Sequence, residues 1–106
     1  KISSDTMVGG ARLTKLLGTS AWYAPGASVS YLVDSIINDR HRLIPCSAFL
    51  EGEYEQKDIC IGVPCVIGKN GIESILDLDL NSDEIEKFKQ SSTSVRNMND
   101  ALKELL

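Results

Sequence analysis

The chain has 106 residues, a formal net charge of −4, 42% hydrophobic residues and 25% charged residues. That is the length and make-up of one globular domain, and it excludes collagen-like, disordered and disulfide-scaffold classes. The charge balance offers no basic stripe for a phosphate backbone, and no apolar run approaches the roughly 20 residues that span a bilayer. Neither nucleic acid nor a membrane is therefore an expected partner. The opening residues lack a secretory apolar segment, so a cytoplasmic location is expected.

Residues 1–17 predict a short or interrupted helix. Asp5 is its candidate cap, and Leu13, Leu16 and Leu17 form an apolar stripe. Gly9-Gly10 argues for the interruption, because each glycine costs about 1 kcal/mol against alanine inside a helix. A second helix is expected from near Pro25, since a first-turn proline gives up only an N–H that would be unpaired. Val29, Leu32, Val33, Ile36 and Ile37 share one face. The helix should end at residues 38–41, where Arg40 and His41 suit the negative end of its dipole.

The period then changes. Residues 43–50 form an almost unbroken apolar run, the mark of a buried strand. A turn follows at Glu51-Gly52-Glu53. The second strand is expected over residues 59–67, with Pro64 pointing to an edge position or a bulge. Gly68-Lys69-Asn70-Gly71 predicts a hairpin turn. The third strand is expected over residues 72–80, where Leu76, Leu78 and Leu80 alternate with Asp77 and Asp79.

Asn81 and Glu84 have capping-box spacing for a last helix. Asp83, Glu84 and Glu86 suit its positive end, and Lys103 its negative end. Ile85, Phe88, Val95, Met98, Leu102 and Leu105 make its apolar stripe. The order predicts an α+β fold: a three-stranded antiparallel meander packed with helices before and after it.

Few residues announce chemistry. Cys46, Cys60 and Cys65 contain no CxxC, and an odd cysteine count argues for reduced, buried thiols. Five strand steps would put Cys60 and Cys65 about 17 Å apart on opposite faces. With His41 the only histidine, no metal site is expected. His41 reads as a helix-end hydrogen-bonding group, and Glu51, Glu53 and Asp58 as solvated turn residues. No glycine-rich dinucleotide loop or P-loop is present. The segment from Gly18 to Gly26 stands apart: small residues surround Trp22 and Tyr23 before a helix start. Such a segment either leaves room for a ligand at the helix N-terminus or joins two helices with the aromatics as core.

Ser20-Ala21-Trp22-Tyr23-Ala24-Pro25-Gly26-Ala27-Ser28 resembles the substrate-pocket helix start of the malate and L-lactate dehydrogenase family, in its malate-dehydrogenase-like branch. An ordered series of motifs extends the likeness from about Gly9 to the C-terminus. It comprises Ile44-Pro45-Cys46-Ser47, Glu51-Gly52-Glu53-Tyr54, Lys57-Asp58, Gly62-Val63-Pro64, Gly68-Lys69-Asn70-Gly71-Ile72-Glu73 and the last helix with Glu84, Phe88 and Ser91.

The resemblance implies that residues 1–106 are the C-terminal portion of the family's substrate domain, without its Rossmann domain. It implies reversible hydride transfer between NAD and a small 2-hydroxy acid, by a homodimer or homotetramer. Ala21 would line the substrate pocket, and Pro25 would lie beside the nicotinamide. A small residue at Ala21 favours malate, with L-lactate as the alternative substrate. The family's catalytic histidine, its orienting aspartate, the arginine clamps and the NAD loop have no counterpart here. His41 is out of place as the proton shuttle, so no catalytic residue is assigned and the chain alone should be inactive. A non-catalytic folding or oligomerisation module is the reading from another class. One departure concerns geometry: after Gly-Glu-Tyr the family usually has glycine, where this chain has Glu55. A positive φ there would strain the glutamate.

Overall fold

A computed structural model describes residues 2–105. Its elements are α1 (Ile2–Leu17), α2 (Tyr23–Ile37), β1 (Arg42–Glu51), a 3-10 turn (Glu53–Glu55), β2 (Lys57–Gly68), β3 (Gly71–Ile75) and α3 (Ser82–Lys103). Three helices and one antiparallel sheet of order β1-β2-β3 make the expected α+β fold. The chain forms two compact units, one running to Asp34 and the other starting at Ser35.

In the first unit, α1 is one continuous helix of 16 residues, not an interrupted one. Asp5 lies in its first turn instead of capping it, where a carboxylate suits the dipole. A Cβ on Gly9 or Gly10 would meet nothing within 4 Å, so no close approach explains the glycine pair. Leu13, Leu16 and Leu17 are all exposed. Helix α2 begins at Tyr23, two residues before the proline that predicted it.

In the second unit, β1 and β2 pair over their whole lengths, from Arg42 opposite Ile67 to Glu51 opposite Lys57. Ala48, Leu50, Ile59, Ile61, Val63, Cys65 and Ile67 are the buried apolar residues, all on one face of these two strands. The run 43–50 is thus buried on one face only: Leu43 and Phe49 point the other way and are more than half exposed. The thiols divide likewise, Cys65 buried, Cys46 half-buried and Cys60 exposed, which corrects the expectation of three buried cysteines. Burial pushes the Cys65 thiol up, and the neighbouring Cys46 adds to it.

Strand β2 is central, not an edge, although it contains Pro64. Pro64 lies opposite Pro45, and its carbonyl accepts from Leu76 N–H at 2.9 Å on the β3 side. N and C=O of one residue in an antiparallel strand face the same neighbour. The two prolines therefore occupy a pair that exchanges no hydrogen bonds, and the β1–β2 ladder loses none.

That proline also explains why β3 stops early. Alternating Leu76, Leu78 and Leu80 predicted a strand to residue 80, yet it ends at Ile75. Opposite this point Pro64 has no N–H to give. Tyr54 takes over: its hydroxyl donates to the Leu76 carbonyl and accepts from Leu78 N–H at 3.1 Å. In the β2–β3 hairpin, positive φ falls on Gly71 (83°).

Helix α3 has the predicted capping box. Asn81 Oδ1 accepts from Glu84 N–H and Glu84 Oε2 accepts from Asn81 N–H, both at 3.0 Å. The predicted apolar stripe is used only in its middle, where Phe88 and Val95 are half-buried and Ser92 is buried. Met98, Leu102 and Leu105 are exposed. Arg96 ties the helix to the start of β2 by donating to the Lys57 carbonyl at 2.7 Å and to Gln56 Oε1 at 3.3 Å.

The strain expected at Glu55 is present: its φ is 56°, next to Tyr54 at 53°. A left-handed non-glycine residue costs roughly 1–2 kcal/mol, part of which glycine gives back as unfolded-chain entropy. Glu55→Gly is expected to stabilise the chain by about 0.5–1 kcal/mol. A raised urea midpoint at constant slope would show it, and an unchanged or lowered midpoint would contradict it.

Candidate functional site

The segment between α1 and α2 is built from its glycine and its helix start. Gly18, at φ 71°, closes α1 by donating to the Thr14 carbonyl at 3.0 Å. The Trp22 carbonyl accepts from Gly26 N–H at 2.9 Å, the first bond of α2. Pro25 thus falls among the first-turn positions whose N–H groups have no partner within the helix, as its ring requires.

Ala21 is half-buried in the connection, and Pro25 is exposed in the first turn of α2. Trp22 and Tyr23 are 72% and 94% exposed, so they are not a core joining the helices. The N-terminus of α2 offers Tyr23, Ala24, Pro25 and Gly26, with the Tyr23 hydroxyl its one side-chain donor and no acid. The turn is apolar apart from that hydroxyl and carries no carboxylate, imidazole or thiol.

The second unit holds a cleft of about 370 Å³. Glu53, Glu55, Asp77, Asp79 and Lys89 rim it, and Tyr54 packs on Phe88 with ring centroids 5.2 Å apart. Glu53 Oε2 accepts from Glu51 N–H at 2.7 Å, and this bond, with a second from Glu53's own N–H, holds its carboxyl below the usual carboxylate range. It is thereby a clamp of its own turn. Glu51 and Asp58 are exposed, as read from the sequence.

His41 lies in the turn after α2, which ends at Ile37, and its Nδ1 is 3.0 Å from the Asp39 carbonyl oxygen, so it bonds that turn and not the last carbonyls of the helix. The sequence reading missed that Nε2 meets Glu73 Oε2 at 2.8 Å, a contact the β2–β3 hairpin brings about. None of these groups reproduces a nucleophile–base pair, so no catalytic residue is assigned. No helix among the described residues is long and apolar enough to cross a membrane.

The sequence profile of the lactate/malate dehydrogenase α/β C-terminal domain matches residues 1–105. The chain therefore belongs to that family. Malate dehydrogenase from Flavobacterium frigidimaris is 68% identical over 106 residues, which is 100% of this chain and 34% of that protein. Malate dehydrogenase from Bacteroides thetaiotaomicron is 60% identical over 105 residues, 99% of this chain and 34% of that protein. Among solved structures, malate dehydrogenase from Salinibacter ruber superposes with a TM-score of 0.95 at 39% identity, covering 98% of this chain and 34% of that one. Lactate dehydrogenase from Eimeria maxima, solved with NADH and oxamate, gives 0.92 at 39% identity, covering 96% of this chain and 32% of that one. The chain spans about a third of the length of the relatives it matches.

Proposed function

We propose that this chain is the C-terminal substrate-domain portion of an NAD-dependent malate dehydrogenase, interconverting malate and oxaloacetate. The observation that carries the reading is 68% identity to a malate dehydrogenase over all 106 residues. Ala21 would form part of the substrate wall and Pro25 would lie against the nicotinamide. Their small, uncharged side chains at the N-terminal end of α2 support this, since they leave the helix start free of charge. NAD supplies the hydride when bound; these residues orient and enclose. The proton shuttle, the carboxylate-binding arginines and the NAD loop would come from the rest of the polypeptide, including its Rossmann domain. With the family resemblance come a cytoplasmic location and a homodimeric or homotetrameric assembly.

L-lactate oxidation is the second reading, since the lactate dehydrogenase from Eimeria maxima matches at the same 39% identity as the Salinibacter ruber enzyme. The two separate in an NADH-oxidation assay of the full-length polypeptide. Oxaloacetate is expected to exceed pyruvate by at least about tenfold in kcat/KM, or about 1.4 kcal/mol of transition-state preference. A preference for pyruvate would replace malate with lactate. The separate 106-residue chain is expected to show no turnover, because positioning and acid–base groups each contribute orders of magnitude. Absence of turnover in the full-length polypeptide would favour a non-catalytic module.

A further inference from the structure

We propose that Asp39, His41 and Glu73 form a three-ligand site for a divalent transition cation of the zinc type, clipping the turn after α2 to strand β3. One ring nitrogen and two carboxylate oxygens lie within 4.8 Å of one another. His41 Nε2 is 2.8 Å from Glu73 Oε2 and 3.6 Å from Asp39 Oδ1. Ligand atoms bonded at about 2.0–2.2 Å to a tetrahedral zinc stand about 3.3–3.6 Å apart. The Nε2–Asp39 separation matches that spacing, and a rotation of the Glu73 side chain would open the shorter Nε2–Glu73 one.

The orientation of the imidazole fits the same role. Its Nδ1 is 3.0 Å from the Asp39 carbonyl oxygen, which can only accept, so Nδ1 carries a proton. Metal-binding histidines are commonly held through the other ring nitrogen in this way. With Nδ1 turned to that carbonyl, Nε2 and Glu73 Oε2 at 2.8 Å share a hydrogen-bond proton, which a metal ion would displace as the Glu73 side chain rotates.

The backbone beneath the trio leaves space for it. A Cβ on Gly68 would fall 2.6 Å from Glu73 Oε1 and 2.8 Å from Asp39 Oδ1. Both carboxylates therefore converge over a residue that has no side chain. Lys69 N–H donates to Asp39 Oδ1 at 2.9 Å, which fixes that carboxylate and leaves it a lone pair. Of the flanking cations, Arg42 reaches Ser35 Oγ at 3.3 Å. One imidazole and two carboxylates suit zinc, cobalt or manganese better than a soft monovalent ion. Three protein ligands leave a fourth position to solvent.

The test uses the full-length polypeptide, stripped with chelator and titrated with cobalt(II). The expected result is one saturable equivalent with a tetrahedral visible spectrum, displaced by zinc, and a raised melting temperature with either metal. Glu73→Gln preserves the size and a hydrogen bond to His41, so it should fold normally while weakening binding at least about tenfold. His41→Gln should abolish the spectrum. Equal binding by the wild type and both variants would place the metal elsewhere and overturn the proposal. No binding by the wild type would leave a proton as the only bridge between His41 and Glu73, and would overturn it equally.

Discussion

Leu50→Ala is expected to lower the unfolding free energy of the chain by about 3 kcal/mol, the middle of the range for a buried leucine reduced to alanine. Leu50 has 0% exposure and lies opposite Ile59, itself 1% exposed, on the buried face of the sheet. The loss combines transfer of the removed carbons with the cavity they leave. Collapse around that cavity is limited, because the backbone on both sides is fixed by the β1–β2 ladder. Domains of this size have a total stability of about 5–15 kcal/mol, so the change would remove a large share of it. Urea unfolding followed by circular dichroism reads the effect as a lower midpoint at constant slope. Phe49→Ala is the matched control one residue away. Phe49 is 53% exposed, so its replacement should shift the midpoint far less. Equal shifts would mean that the buried face does not carry the stability of the sheet.

The second large effect is expected at Tyr54. Tyr54→Phe keeps the ring against Phe88 and removes only the hydroxyl, leaving the Leu76 carbonyl and Leu78 N–H without their partner. Leaving such groups unsatisfied costs about 1–3 kcal/mol, and partial access to water places this case near 2 kcal/mol. The loss should be local as well as global. Hydrogen exchange at Leu78 should accelerate more than at the α3 amides, since the hydroxyl accepts from Leu78 N–H whereas Leu76 N–H keeps its bond to the Pro64 carbonyl. A variant with unchanged exchange at Leu78 would show that water replaces the hydroxyl without loss.

These two residues mark what the sequence could and could not reveal. The core face of β1 and β2 was legible, because alternate positions from Ile59 to Ile67 are apolar whatever else surrounds them. The α3 capping box was legible because Asn81 and Glu84 satisfy each other within one turn. The end of β3 was not, since its cause is Pro64, twelve positions before Leu76 and on another strand. Counting buried faces failed for the run 43–50, where apolar residues on both sides gave no sign that one side is exposed. For the candidate site, the roles of Ala21 and Pro25 came from resemblance alone. The aromatics Trp22 and Tyr23 misled in the other reading, because large apolar residues predict burial only where something in the fold covers them. Glu73 was missed as a partner of His41 because 32 positions and a hairpin separate them.

The facing prolines have a consequence for how the sheet meets other molecules. Pro45 turns its N and C=O away from β2, so the position without an N–H lies on the outer edge of β1. A foreign strand trying to dock along that edge would find its run of donors broken near the middle. Edge prolines are a recognised guard against runaway strand addition. The pair therefore does two things at once: it keeps the inner ladder whole and makes the rim of the sheet a poor template for aggregation.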